Sequence, residues 1–370
     1  MKFSVLQPDL NKAIGIVGKA VSIRASLPIL SNILIASDKG RLKLSATDLD
    51  KSITTWIGAK IDKGGAVTVP AKILADFVSN LPAVKVTGAV ENNILTLNSQ
   101  NASASFNGID ASEFPISSNL SKGEYTVKID SAFLTSALSD VVFAAATDES
   151  RPILTGVLIQ MEDKKLTFVS VDGFRLSERT LEIKDKIKEP KNVVVPARTL
   201  MEISRIALGA RSHISLSFLE SENLIIFESE DLLASTRILE GAFPDYKKII
   251  PTAESNLKIS VSHEELLSAV KIANVFARDS SNVVKLLVNP KDGIYVSSEA
   301  YEVGQNKTLV EAKVEGEETE IIFDGRFLGD FLTNVKCEDL EIETQGALTP
   351  VVFRPKGRKD YIHIIMPRRP

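Results

Sequence analysis

Residues 67–81 read VTVPAKILADFVSNL, and two later stretches follow the same plan: VVVPARTLMEISRIAL from Val193 and EIIFDGRFLGDFLTNV from Glu320. Each opens on β-branched residues suited to a strand and continues with apolar residues at helical spacing. In the first two a proline sits near the first turn of the helix, where its missing N–H costs nothing. In the third FDG replaces VPA, and Asp324 is placed to cap the helix. Aligned on Lys72, Arg198 and Arg326, the copies lie 126 and 128 residues apart.

Other features recur in the same order. LPILSNILIASDKGRLKLSATD from Leu27 resembles RPILTGVLIQMEDKKLTFVSVD from Arg151, and SNVVKLLVNPKDGIYVSSEA from Ser281 is a more diverged third copy. Each copy begins with a strand and an amphipathic helix: FSVLQPDLNKAIGIVGKAV, YTVKIDSAFLTSALSDVVF and LKISVSHEELLSAVKIANVF. The period is too long for a solenoid and suits whole domains. The reading is α+β: three repeated domains, residues 1–120, 121–250 and 251–370, each with two helices and two antiparallel strand groups. Homologous domains in one chain repeat one contact, and such head-to-tail contacts either close into a ring or run on as a filament.

The 370 residues are 44% hydrophobic and 25% charged, an ordinary globular balance. No apolar run approaches the ~20 residues of a membrane span. The start, MKFSVLQPDL, is too polar for a secretory signal. With a single cysteine, Cys337, no internal disulfide can form. These features point to the cytoplasm, and the sequons at Asn101, Asn119 and Asn306 read as chance matches.

No catalytic constellation emerges. GIVGK at 15–19 lacks the phosphate-loop spacing and sits in a helical pattern. His213, His263 and His363 fall in distant segments without a metal-binding partner motif, so neither a metal nor another cofactor is expected. Asp48 and Asp50 read as acids in a turn. A pseudo-symmetric enzyme would need a catalytic cluster, and a repeat-built surface protein would need an export signal. The weight therefore falls on a binding or scaffold role.

Net charge is −4, yet the six expected helices (10–24, 70–80, 130–146, 196–211, 262–278 and 324–336) carry eleven basic and eight acidic residues. Lys12 and Lys19, Arg198 and Arg205, and Lys271 and Arg278 are each seven apart, nearly two helical turns, so each pair is expected on one face. A solvated helix face is one account. The other is a surface meeting phosphate, with sequence-independent contact. Aromatics are 6% and do not interleave with these bases, which favours duplex backbone over stacked single strands.

Taken together, MKFSV, LPILSNILI, ATDLD, VTVPAK, SVDGFRLSERT, VVVPAR, GAFPDYKKIIP and the terminal MP make the chain resemble, over essentially its whole length, the bacterial sliding clamp family, the beta subunit of DNA polymerase III. The resemblance implies two chains closed head to tail around duplex DNA. It also implies a non-catalytic processivity role, with the replicative polymerase, the clamp loader and other clamp-binding-motif proteins as partners. Arg24, Lys72, Arg198 and Arg205 match positions on the family's inner surface; Lys271 and Arg278 are added by the spacing argument. Arg151 is followed by Pro152 and Ile153, where the family often has aromatics. Ala104, Phe106 and Phe276 match positions of the dimer interface, Ala104 standing where a larger residue is common. A client-peptide cleft is implied at Leu154, Val171, Gly173, Phe174, Arg175 and Leu176, at Pro244, Lys248 and Ile249, and at Pro350, Ile365, Met366, Pro367, Arg368 and Arg369. Ordinary core packing is the alternative for these, above all for Leu154 and Val171. The chain ends YIHIIMPRRP, with Arg368 and Pro370 where the family is commonly apolar, and this basic end predicts a preference for acidic client peptides.

Overall fold

The computed structural model describes residues 1–22, 27–115, 125–207 and 213–369; Arg24, Asn119, Arg211 and Pro370 lie outside them. In the first repeat the chain forms β1 (Lys2–Leu6), α1 (Gln7–Val17), β2 (Asn32–Asp38), β3 (Arg41–Thr47), β4 (Lys51–Gly58), β5 (Lys60–Lys63), β6 (Ala66–Pro70), α2 (Ala71–Ser79), β7 (Lys85–Glu91), β8 (Ile94–Ser99) and β9 (Ala102–Asn107). The second repeat contributes β10 (Tyr125–Asp130), α3 (Ser131–Val141), β11 (Gly156–Val171), β12 (Arg175–Pro196), α4 (Ala197–Ala207), β13 (His213–Leu219), β14 (Leu224–Ser229) and β15 (Leu232–Arg237). The third contributes β16 (Leu257–Ser262), α5 (His263–Ala277), β17 (Val283–Asn289), β18 (Gly293–Ala300), β19 (Gly304–Val310), β20 (Ala312–Glu315), β21 (Thr319–Asp324), α6 (Gly325–Asn334), β22 (Asp339–Thr344), β23 (Val351–Pro355) and β24 (Tyr361–Ile365).

Local chemistry explains the helix starts. Pro8 opens α1, and Leu10, Ala13, Ile14 and Val17 form its buried stripe. Ser262 caps α5 by accepting from the Glu265 N–H, and Asp324 caps α6 by accepting from the Arg326 N–H at 3.0 Å, the role expected of it. The expected helix over 10–24 is corrected. It starts at Gln7 and ends at Val17, and a single 3-10 turn follows at Gly18–Ala20. Glycine at 18 and the extended backbone at Val21 end the α-helix there. Lys19 is therefore not on the same α-helix as Lys12, and Arg278 is the residue that closes α5 rather than part of it.

The chain divides into two compact units, Met1–Ser131 with Arg205–Ile238, and Ala132–Ser204 with Leu239–Pro370. The first holds a five-stranded sheet, β5-β1-β7-β8-β9, and an eight-stranded sheet, β10-β13-β14-β15-β4-β3-β2-β6. All the pairings are antiparallel, and β15 joins β4 with Leu232 opposite Thr55. One sheet thus runs from the second repeat into the first. The second unit holds a seven-stranded sheet, β11-β12-β24-β23-β22-β16-β20, and a four-stranded sheet, β19-β18-β17-β21. Here β12 pairs with β24, Arg175 opposite Ile365, which fuses the second repeat to the third.

The last strand is wholly buried and its two faces serve different cores. Ile362 and Ile364 pack with Leu158, Val169 and Val194, whereas Tyr361 and Ile365 pack with the helices and sheets of the third repeat. His363 stacks on Phe331 with centroids 4.6 Å apart and planes 4° off parallel. Its Nδ1 lies 2.6 Å from the Ser177 hydroxyl on β12. Burial, and secondarily the Arg175 charge, hold this imidazole well below its ordinary pKa of 6.5.

The unfolded chain takes up a proton at His363 below about pH 6.5 and the native chain does not, so stability is full above that pH and falls as the pH drops through it. Urea unfolding of the wild type is expected to lose about 1 kcal/mol per pH unit from pH 6.5 towards 5 from this group. His363→Phe, which keeps a ring against Phe331, should flatten that part of the profile. Parallel pH profiles for the two proteins would show that His363 is not the group responsible.

Candidate nucleic-acid and peptide interfaces

The bases expected to meet phosphate are on the surface. Lys12 of α1, Lys19, Lys72 of α2 and Arg205 near the end of α4 are exposed in the first unit; Arg198 of α4, Lys271 of α5 and Arg278 are exposed in the second. Arg326 differs. It folds back on its own capping residue, with Nε and Nη2 donating to the Asp324 carboxylate at 3.0 and 2.8 Å.

The residues expected at a peptide cleft fall into two groups and a shared floor, all in the second unit. The first group is the turn Asp172–Arg175. The Asp172 carboxylate accepts from the N–H groups of Phe174 and Arg175, both at 2.9 Å, and Gly173 sits at φ +95, a conformation that suits glycine. This geometry turns the Phe174 ring outward, 62% exposed, where it stacks on Phe327 at 6.1 Å. The Met366 N–H donates to the Phe174 carbonyl at 2.8 Å, which continues the β12–β24 ladder and sets Met366 and Pro367 beside the turn.

The second group is a groove of about 310 Å³ lined by Lys248, Ile249, Pro251, Glu343, Pro350 and Val352, among others. Lys248 pairs with Asp245 at 2.9 Å on its rim, and Pro244 is exposed next to that pair. Beneath both groups, Leu154, Val171 and Leu176 belong to one buried cluster with Tyr246, Val352, Ile362 and Ile364. Leu154, Val171 and Leu176 are only 4%, 3% and 1% exposed, so they act as floor rather than contact surface. Ile365 is fully buried in the third repeat's core.

Two arginines of the expected cleft are turned elsewhere. Arg175 is buried. Its Nε donates to Asp172 at 2.9 Å, Nη1 to Asp330 at 2.7 Å and Nη2 to the Phe143 carbonyl at 2.7 Å, and its guanidinium lies 4.7 Å from the Phe327 ring centre. It shapes the turn and offers little to a ligand. Arg368 donates through its guanidinium to the Ser281 carbonyl, which anchors the side chain there; Arg369 is exposed at this end.

Sequence reasoning missed Tyr246, whose hydroxyl donates to Gln160 at 2.7 Å, and also Phe327 and Asp330. Asp-Gly at 172–173 was a legible turn signal. Nothing local marks Asp330, which lies 155 residues from the arginine it pairs with.

The positions expected at a subunit interface lie on or near strands at sheet margins. Phe106 and the half-buried Ala104 are on β9, at one edge of the five-stranded sheet. Phe106 is satisfied within its own chain, its ring meeting Phe77 of α2 edge-on at 5.6 Å. Phe276 is half-buried near the end of α5, which packs on β18 and on the edge strand β19. Exposed Ile272 and Val275 share that helix.

Comparison with known proteins agrees with this architecture. Models of the N-terminal, central and C-terminal domains of the DNA polymerase III beta subunit match residues 1–120, 128–245 and 247–369. The chain is 31% identical to the beta sliding clamp of Bacillus subtilis over 381 residues, covering 100% of both chains, and 30% identical to that of Synechococcus elongatus over 374 residues, covering 99% of each. The crystal structure of the Bacillus subtilis clamp superposes with a TM-score of 0.91, covering 100% of this chain and 99% of that one. A Pseudomonas aeruginosa sliding clamp bound to griselimycin, 21% identical, shares the fold with a TM-score of 0.92 and full coverage of both chains. With relatives matched end to end and all three repeats accounted for, the chain belongs to the family of bacterial beta sliding clamps, the beta subunit of DNA polymerase III.

Proposed function

We propose that this sliding clamp works as a head-to-tail dimer, closed into a ring around duplex DNA, and that it confers processivity without catalysing a reaction. The observation that carries the reading is the full-length match to beta sliding clamps, in a chain whose three repeats each carry exposed bases on their helices. The three domains of the working molecule are taken as residues 1–120, 121–250 and 251–370. The closing contact is assigned to the first repeat at Ala104 and Phe106 and to the third at Phe276. Such a ring holds the polymerase at the primer end by raising its effective concentration, and it slides because phosphate contact carries no base readout. We place it in the cytoplasm; no helix among the described residues is long and apolar enough to cross a membrane.

DNA contact is assigned to Arg24, Lys72, Arg198, Arg205, Lys271 and Arg278. The polymerase, clamp loader and other clamp-binding proteins are assigned to the Asp172–Arg175 turn, the Lys248–Pro350 groove and the tail Met366–Arg369. The geometry supports a peptide site, because an exposed aromatic at the Asp172–Arg175 turn and a groove of mixed apolar and polar lining both adjoin well-packed core.

The decisive experiment loads the protein onto nicked circular DNA and compares retention before and after linearisation. A ring is expected to stay on circles and leave through free ends within minutes; equal loss from both forms refutes topological linkage. The phosphate contacts are tested with a short duplex. Lys72→Ala, Arg198→Ala and Arg205→Ala combined should reduce the slope of log K against log salt by about 3, roughly one unit per lost contact. An unchanged slope would move DNA contact elsewhere. For the cleft, griselimycin, bound by the Pseudomonas aeruginosa clamp, serves as the titrated ligand. Phe174→Ala and Ile249→Ala are each expected to weaken it about tenfold or more, in line with loss of a buried anchor. Undiminished binding by both variants removes these residues from the site.

A further inference from the structure

The bonds of the C-terminal tail give Arg368 a task within its own chain. The Met366 N–H is held by the Phe174 carbonyl at 2.8 Å, and the Arg368 N–H by the Ile322 carbonyl at 2.7 Å. Pro367, between them, has no N–H to give. The tail therefore spans from the Asp172–Arg175 turn to β21, the outer strand of its four-stranded sheet. One further bond completes the fastening, from the Arg368 guanidinium to the Ser281 carbonyl.

That acceptor is unusually well fixed. Ser281 and Asn282 both stand in the left-handed region, at φ 56 and 60. The Asn282 N–H donates to the Ala277 carbonyl at 2.7 Å, and the Asn282 carbonyl accepts from the Gly325 N–H at 2.7 Å. The turn is thereby bound to the end of α5 and to the start of α6, so its free carbonyl is a stationary target. Arginine brings five donors on a long stem, whereas leucine or methionine at 368 would bring none.

We infer that Arg368 is a positioning residue for the proposed peptide site: by clamping the tail to the Ser281 turn it holds Met366 and Pro367 in place beside the Asp172–Arg175 turn. This rests on the peptide-site reading given above and adds the means by which the tail beside Phe174 is kept ordered before a peptide arrives. A tail ordered in advance spares the peptide the cost of ordering it.

The test needs no ligand. The chain has four methionines, Met1, Met161, Met201 and Met366, so selective carbon-13 labelling of their methyl groups gives a spectrum simple enough to assign. In the full-length protein, Arg368→Leu is expected to narrow the Met366 signal at least twofold and move it towards the position of an unstructured methionine. The buried Met1 and Met161 signals should stay in place. Arg368→Lys, which keeps one donor group on a long stem, should restore most of the wild-type Met366 signal. A Met366 signal identical in wild type and Arg368→Leu overturns the proposal, and so does a change spread equally over all four methyls. Because no peptide is present, these spectra stand or fall separately from the titration that tests the groove.

Discussion

The ladder between β12 and β24 is the contact on which the second unit depends. Arg175–Arg179 pair with Ile365–Tyr361, and on its other side β24 pairs with Val351–Phe353 of β23. A strand taken from the end of the chain thereby joins two repeats through main-chain bonds, which specify register without requiring particular side chains. Register then decides everything mounted on it. It sets His363 opposite Ser177, it turns Ile362 and Ile364 to one core and Tyr361 and Ile365 to the other, and it delivers Met366 to the Phe174 carbonyl. A slip of one residue would exchange the two faces and put the imidazole among aliphatic side chains.

Charges buried near this ladder are present in sets rather than singly. Asp140 is nearly inaccessible and accepts from Arg358, with the Arg179 Nε 3.7 Å away; Asp360 neutralises both arginines from the other side. Burial nonetheless outweighs the two cations and raises the Asp140 carboxyl above its ordinary value. The same desolvation depresses Arg179. Such a network contributes less to stability than its short distances suggest, since removing each ion from water offsets most of the attraction. What it supplies is exclusivity of arrangement, because any other packing strands one of four charges. Arg175 follows the same logic, with two carboxylates and a carbonyl around one guanidinium.

The three repeats were legible because VTVPAK, VVVPAR and IIFDGR recur at nearly constant spacing, and the cap of α6 was legible because Asp324 acts within two residues of itself; Pro8, which opens α1, was passed over by starting that helix at residue 10. The fusion of sheets across repeats was not. Pairing of β15 with β4, or of β12 with β24, depends on partners well over a hundred residues away, and an edge strand looks the same in sequence whether or not it is later covered. The same blindness affected the two arginines of the expected cleft. The acceptors of Arg175 and Arg368, Asp330 and the Ser281 carbonyl, are distant in the chain. Where the α-helical period was extended too far, at Lys19, the error came from trusting spacing across Gly18.

Strand β9 reads Ala102-Ser103-Ala104-Ser105-Phe106-Asn107 and carries no charge along the margin of its sheet. Soluble proteins usually guard such margins with lysine, proline or a bulge, because open main-chain groups recruit any extended segment that drifts past. This margin is left unguarded. In the proposed dimer a mate covers this margin, so the chain before pairing is the form open to indiscriminate association.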